Sequence, residues 1–243
     1  MKFLSIFFCL GISLTSAAQT ASKWSFGTHV GLNSSWLAME REVVWQGGAR
    51  HNAIAPGFTP CAGVQFNFQF AKRSFLQTEI NYSLVKSSST NRWQSTATTY
   101  TEHNTRFTNN YLEMPLLMNY AIAQQSKIKF SIGIGNVFRY GLKGKVDVEI
   151  REGGSSGTSN FRGSPVNLSD NIDFILICPA IRSSVGFKLK NHDAIGISLR
   201  YSVSAGKALR NETPPNYGFL ISDNRLQTLS LLMQYTFPAI RNL

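Results

Sequence analysis

The sequence predicts an all-β fold: an eight-stranded antiparallel up-and-down transmembrane β-barrel with four long outer loops and three short periplasmic turns. Large apolar residues alternate with small or polar residues in about eight segments, as expected where successive side chains point to opposite faces of a strand. The connections between these segments are alternately long and short, which is typical of membrane barrels. After the N-terminal segment, no run approaches the ~18 apolar residues of a spanning helix.

The composition also favours a membrane barrel over a soluble domain. Charged residues make up only 15% of the 243 residues, well below the roughly 25% typical of soluble domains. The net charge is +11 without a dense block of Lys or Arg, so we expect no nucleic-acid partner. Acidic headgroups of outer-membrane lipids are the better match for this charge.

The N-terminal residues have the features of an export signal. A positive charge at Lys2 is followed by an apolar run over residues 3–14 and then by small residues. We expect residues 1–18 to be a cleaved signal peptide and residues 19–243 to form one barrel domain. The predicted location is the bacterial outer membrane.

The first three strands are predicted over residues 24–37, 58–71 and 75–86. The second has the clearest alternation, and its large apolar residues are Val64, Phe66, Phe68 and Phe70. Its opposite face carries Gly63, Gln65, Asn67 and Gln69. We expect the apolar face to contact lipid and the amide face to fill a narrow interior.

The next two strands are predicted over residues 109–122 and 127–142. One face of the fourth strand is wholly apolar, whereas the other carries Glu113 and Asn119. The alternation of the fifth strand continues as far as Ile150, so we expect this strand to project beyond the membrane.

The last three strands are predicted over residues 172–189, 194–204 and 225–237. Pro115 and Pro179 lie within predicted strands and cannot donate a ladder hydrogen bond, so both predict β-bulges.

The four long connections are predicted to lie outside the cell, over residues 38–57, 87–108, 143–171 and 205–224. They are rich in Thr, Ser and Asn, and loops of this length suit the docking of envelope proteins. Their basic residues also suit lipid phosphates.

A soluble, lipocalin-like barrel is the alternative fold. Such a barrel places its apolar face inside, around a ligand or a core. The face rich in Gly and charged residues would then have to be the wet exterior. The density of Gly on that face indicates crowding in a narrow interior instead, which favours the membrane barrel.

Charged residues on the predicted inward face form the candidate site. They are Glu79, Glu113, Lys129, Arg139, Arg182 and Arg200. An eight-stranded barrel has an interior that side chains can fill, and buried charges must be paired. We interpret the set as a salt-bridged plug, with Glu113 paired to Arg182 or Arg200. The alternative is a narrow pore that favours anions.

No catalytic, cofactor or metal site is predicted. His29 is expected to face inward with no carboxylate near it, and the other histidines are spread over loops and a turn. Glu102 and His103 are adjacent but lack the further ligands that a metal site needs. Cys61 and Cys178 are expected to be small buried hydrophobes rather than a disulfide.

Two segments carry a resemblance to a known family. Residues 76–83, LQTEINYS, and residues 111–120, YLEMPLLMNY, resemble the PorT-like outer-membrane β-barrel family of Bacteroidota. Residues 173–174 and 199–201 are also similar to that family. The resemblance implies an eight-stranded barrel in the outer membrane but no single activity. Its namesake serves a protein-secretion machine, so an accessory role in such a machine is one implied function.

We therefore expect an outer-membrane barrel, not an enzyme, with a structural or interaction role. The alternatives are a small anion-leaning pore and an accessory subunit of a protein-secretion machine.

Overall fold

The computed structural model describes residues 24–40, 50–94, 99–125, 127–154, 157–162, 166–167, 175–189, 193–206 and 223–237. These residues form ten β-strands: β1 Trp24–Glu40, β2 Arg50–Gln69, β3 Ser74–Gln94, β4 Tyr100–Gln124, β5 Ile128–Gly154, β6 Gly157–Arg162, β7 Val166–Asn167, β8 Ile175–Lys188, β9 Ala194–Val203 and β10 Asp223–Phe237. No helix in the described residues is long and apolar enough to cross a membrane.

Eight of these strands close into a barrel. The pairing runs β4-β3-β2-β1-β10-β9-β8-β5, and β5 pairs again with β4, so no edge is left open. All of these pairs are antiparallel. The strands β6 and β7 lie outside the closed circuit, because each pairs only with the continuation of β5. The predicted fold class is confirmed.

The barrel has an apolar exterior and a polar interior. In β8, Ile175, Ile177 and Ile181 are 66%, 49% and 60% exposed, whereas the intervening Cys178 and Arg182 are buried. This arrangement is the reverse of a soluble barrel, in which apolar residues are buried and charged ones exposed. Large apolar side chains cover the exterior of every barrel strand, so the exterior matches lipid and the soluble alternative is wrong.

The interior is as narrow as the Gly-rich face predicts. An added Cβ at Gly63 of β2 would lie 2.9 Å from Nε2 of His29, and it would also contact the Asn81 side chain. At Gly135 of β5 it would meet the Leu116 carbonyl oxygen. Glycine at position 63 therefore gives room to side chains of the neighbouring strands, and glycine at position 135 lets the β4 backbone approach closely.

The three short turns lie where the sequence predicts them. Between β2 and β3, the Ala71 amide donates to the Ser74 carbonyl oxygen at 3.2 Å. Between β4 and β5, the Gln125 amide donates to the Ile128 carbonyl oxygen at 2.9 Å. Near the β8–β9 connection, the Leu189 amide donates to the Asp193 carbonyl oxygen at 2.7 Å.

The long outer connections contain much more strand than the sequence predicts. Residues 87–108 were expected to be a loop, yet β3 and β4 pair as far as Gln94 and Tyr100. Within residues 143–171, β5 continues to Gly154 and β6 folds back on it. The continuation of β5 past residue 142 is confirmed, because its alternation as far as Ile150 predicted it. Residues 87–106 are mostly polar and show no such alternation, so the sequence did not reveal the strands there.

The other two long connections are described only in part. The strand β1 continues to Glu40 and β2 begins at Arg50, so part of residues 38–57 is also strand. Residues 207–222 of the fourth connection lie outside the described residues, as do residues 171–174 at the predicted start of the sixth strand.

The predicted bulges at the two prolines are wrong. Pro115 pairs with Val137 in β5, and Pro179 pairs with Asn136, both without a register shift. The β3–β4 pairing skips the position of Pro115 but resumes in the same register. Because Pro115 has no backbone N–H, it interrupts the hydrogen bonds between β3 and β4, but neither strand gains the extra residue of a bulge. Register irregularities occur instead between Pro56/Cys61, Asn110/Tyr111 and Ala121/Ala123.

Candidate functional site: the barrel lumen

Five charged side chains meet in the middle of the lumen. They are Glu79 of β3, Glu113 of β4, Arg139 of β5, Arg182 of β8 and Arg200 of β9, and none is more than 5% exposed. Successive side chains of a strand point to opposite faces, and the residues next to each of these five point outward. The five charged side chains therefore point into the lumen. We call these five residues the charged layer.

Glu79 accepts hydrogen bonds from four side chains. Arg200 Nη1 lies 2.7 Å from its Oε2, and Arg182 Nη1 lies 3.2 Å from its Oε1. The amides of Gln77 and Asn81 donate to the same carboxylate at 2.8 and 3.0 Å. Since β3 is not adjacent to β8 or β9 in the sheet, both arginine contacts cross the lumen.

Glu113 completes a continuous chain of ion pairs. It accepts from Arg139 Nε at 2.8 Å and from Arg200 Nη2 at 3.4 Å, so Arg200 bridges both carboxylates. Arg139 also donates to Ser202 Oγ at 3.1 Å and contacts Cys178 Sγ at 3.6 Å. The charged layer thus links five of the eight barrel strands across the lumen.

The structure brings five of the six candidate residues together and leaves Lys129 apart. Glu113 does contact Arg200, one of its two hypothesised partners, and its second partner is Arg139. Arg182 pairs with Glu79 instead. The Lys129 ammonium lies 3.9 Å from the centre of the Phe75 ring, nearer the short turns.

His29 was missed as a neighbour of the charged layer. Its Nε2 lies 3.9 Å from Glu79 Oε2, so the expectation that no carboxylate is near it is wrong. In the register of the sheet, Gly63 of β2 lies between His29 and Asn81. The missing side chain at Gly63 leaves the space through which His29 approaches Glu79. The side chains of the other three histidines lie outside the described residues.

An apolar cluster fills much of the lumen beside the charged layer, and all of its members except Leu117 and Val137 lie toward the long connections. Its members are Val85, Phe107, Tyr111, Leu117, Val137, Leu176, Cys178, Ala180 and Leu226. Val85, Phe107 and Leu176 lie closer to the long connections than the charged residue of the same strand. Phe107 and Leu176 are each 3% exposed. This cluster closes the lumen on the loop side with tightly packed side chains.

A cavity of about 510 Å³ lies on the opposite side of the charged layer. Its wall includes Lys129 and Arg182 together with amide and hydroxyl side chains, among them Gln65, Asn67, Gln69, Gln77, Ser131, Ser184, Gln234 and Thr236. Several of these residues adjoin the short turns, and Gln69 is exposed. The cavity therefore opens on the turn side, and we call it the turn-side cavity.

Neither a metal site nor a disulfide is found in the described part of the chain. No group of three or more His, Cys, Asp or Glu side chains there has the arrangement of a metal site. Cys61 and Cys178 are buried as free thiols, in agreement with the sequence prediction.

Comparison with known proteins identifies the family. The family model described as "Outer membrane protein beta-barrel domain" matches residues 17–210, which is most of the chain. No curated protein matches the sequence.

Several solved structures of outer-membrane proteins are similar to this one. OprG from Pseudomonas aeruginosa is 10% identical with a TM-score of 0.42, and the match covers 88% of this chain and 96% of OprG. AlkL, solved in lipid bilayers, is 12% identical with a TM-score of 0.43 and coverages of 93% and 97%. Ail of Yersinia pestis is 9% identical with a TM-score of 0.34 and coverages of 88% and 99%. Similarities of this size carry no information about activity.

Proposed function

Because the chain belongs to the outer membrane protein β-barrel domain family, we propose that it acts in the bacterial outer membrane as a structural or interaction protein. The proposed docking surface is the sheet that continues β2 to β6 beyond the apolar belt, and we call it the outer sheet. We expect side chains to plug the lumen, so that it does not form a channel. The observation that carries the proposal is the ordered strand pairing of the outer sheet.

The barrel strands that build the outer sheet are far longer than a membrane requires. The strands β3, β4 and β5 have 21, 25 and 27 residues, whereas about 9–11 tilted residues cross a bilayer. The exposed apolar side chains of β4 begin only at Leu112, and the residues before it on the outward face include Arg106. The first part of β4 therefore extends past the lipid.

Strand pairing and ion pairs give the outer sheet a defined shape. Arg106 pairs with Ser88 and Asp147 in the β3–β4 and β4–β5 ladders. On β5, Arg151 contacts Glu149 at 3.0 Å, and Lys145 contacts Asp147 at 3.2 Å. A preformed surface loses less conformational entropy on binding than a flexible loop does. This supports the docking of envelope proteins, with lipid contacted by the apolar belt.

One observation favours the alternative of an anion-leaning pore. The lumen of the described residues carries four basic side chains, Lys129, Arg139, Arg182 and Arg200, against the two carboxylates of Glu79 and Glu113. The apolar cluster argues against conduction, because its buried apolar side chains offer hydrated ions no polar path.

The proposal includes no enzymatic activity. A barrel hydrolase needs a base beside an accessible nucleophile at the rim. His29 is 3% exposed and lies against Glu79 in the lumen, so it is poorly placed for that role. We further propose that the chain is a PorT-like protein of Bacteroidota and that its signal peptide is cleaved after Ala18. The segments 76–83 and 111–120 support the first proposal, and the residues preceding the cleavage position support the second.

Crosslinking in native outer membranes tests the interaction role. The protein is purified in mild detergent, and bound proteins are identified for the wild type and for a shortened variant. In that variant, residues 88–106 are replaced by a two-residue Asn-Gly turn, which suits a tight hairpin. We expect the same envelope partners to be recovered in stoichiometric amounts with the wild type and lost with the variant. Recovery of the wild type alone would contradict the proposal.

A further inference from the structure

We propose that the turn-side cavity is a binding site for a small, hydroxyl-rich anion that carries a phosphate or carboxylate group and enters from the periplasm. The charged layer and the apolar cluster do not fill this cavity. At about 510 Å³, it falls within the range of roughly 300–1,000 Å³ that is usual for small-molecule sites.

The charge of the cavity wall selects an anion. Lys129 and Arg182 both line it, and no described lining residue is Asp or Glu. Lys129 forms no ion pair with any carboxylate in the described part of the chain, and its nearest aromatic contact is Phe75. Arg182 donates a hydrogen bond to Glu79 through Nη1 only. Its buried Nε has no hydrogen-bond partner among the described residues. Lys129 is therefore the cation of this wall that has no carboxylate partner among the described residues, and Arg182 adds a second positive charge that Glu79 neutralises.

The remaining wall suits hydroxyl groups. The Gln77 amide donates to Gln65 at 3.1 Å, and Gln65 donates to Thr236 at 2.9 Å, so these side chains are held in place. The remaining N–H groups and oxygen lone pairs of these amides can donate and accept hydrogen bonds, and so can the hydroxyls of Ser131 and Ser184. A sugar phosphate or sugar acid matches this mixture better than an apolar anion does.

The cavity also has a built floor and a defined entrance. The charged layer and the apolar cluster close its inner end, so a ligand enters only past the short turns, which are periplasmic in this class of barrel. Gly186 and Gly196 lie in its wall. A Cβ at Gly186 would have no atom closer than 3.9 Å, so this position borders open space.

Binding is measured by calorimetry on the refolded full barrel with four probes: glucose 6-phosphate, gluconate, inorganic phosphate and neutral glucose. We expect one or both sugar anions to bind at least about tenfold more tightly than glucose, since glucose carries no charge that could pair with Lys129. The tighter of the two identifies phosphate or carboxylate as the recognised group. Inorganic phosphate is expected to bind more weakly than glucose 6-phosphate, because it lacks the hydroxyl contacts.

Two variants and one control locate the site without touching the charged layer. Lys129→Gln removes one cation, and we expect it to weaken binding of the sugar anion about tenfold. Lys72→Gln makes the same charge change at an exposed turn and is expected to leave binding unchanged. Gly186→Ile fills the cavity without a charge change and is expected to weaken the sugar anion more than inorganic phosphate. The proposal is overturned if no anion binds, if glucose binds equally well, or if Lys129→Gln and Lys72→Gln behave alike.

Discussion

Glu79 has no exposure to solvent, and its carboxylate is held by two arginines and two amides that approach from both sides of the lumen. A buried ion pair gains little over a well-packed apolar pair, yet removing one partner leaves the others buried and uncompensated. Glu79 is therefore the residue on which the arginines of the charged layer depend most.

Glu79→Gln is expected to lower the free energy of unfolding by about 3–5 kcal/mol, because among the described residues Arg182 loses its one carboxylate partner and Arg200 loses one of two. The measurement is urea unfolding of the barrel in detergent or lipid. Glu149→Gln is the control, since its ion pair with Arg151 is partly exposed and is worth about 0–1 kcal/mol. Equal effects of the two variants would show that the charged layer does not stabilise the barrel.

Gly63→Ala tests the crowding beside His29. The new methyl group would lie 2.9 Å from His29 Nε2 and against Asn81, so we expect a loss of about 1–3 kcal/mol from overpacking. Gly206→Ala adds the same group where nothing lies within 4 Å, and it is expected to be nearly neutral. Heat resistance of the folded band in gel electrophoresis compares the two, and a Gly63→Ala barrel as resistant as wild type would contradict the packing described here.

At the scale of single strands, the lipid-facing side of β5 tests the position of the apolar belt. Ile134 is 66% exposed and lies near the middle of the apolar belt of this strand, whereas Leu142 lies near the end of the belt. Ile134→Lys is expected to cost about 2–4 kcal/mol and Leu142→Lys about 0–1 kcal/mol, because the penalty for a charge falls from the bilayer centre to its surface. Unfolding from lipid vesicles measures both, and equal costs would mean that the belt is misplaced.

The outer sheet makes a separate prediction about amide exchange. Since Thr90 pairs with Asn104 in the β3–β4 ladder, the amides of this hairpin are expected to exchange more slowly than those of an unstructured chain. Exchange measured by NMR on the barrel in lipid checks this. If the amides of residues 87–94 and 100–108 exchanged at the rates of an unstructured chain, the strand pairing would be contradicted. The segment would then be a loop, as the sequence alone predicts.

These strands are predictable from the sequence where lipid contacts one face and water or polar groups contact the other. The alternation assigned Glu79 and Glu113 to the interior correctly, because a period of two leaves only one other choice. The pairing partners were not predictable. Glu113 lies opposite Arg139 only because the register shifts at Ala121/Ala123, and the Glu79–Arg200 contact joins residues that are 121 positions apart in sequence.

At the scale of the whole molecule, the lumen has three layers: the apolar cluster on the loop side, the charged layer in the middle and the turn-side cavity. The sequence predicted the charged filling, but it did not reveal this order. The order depends on how far each strand is displaced along its neighbour, which the turns alone do not specify. An asymmetric lumen that is closed outside and open inside can hold a solute without conducting ions.

Single-channel recording in planar lipid bilayers tests the closed lumen most directly. The wild-type barrel is inserted at high salt, and insertion is verified independently by its heat-modifiable mobility in gels. We predict no steady conductance steps, because the apolar cluster and the charged layer leave no continuous aqueous path. Steady, reproducible steps with anion selectivity would contradict this account and identify the protein as a small pore.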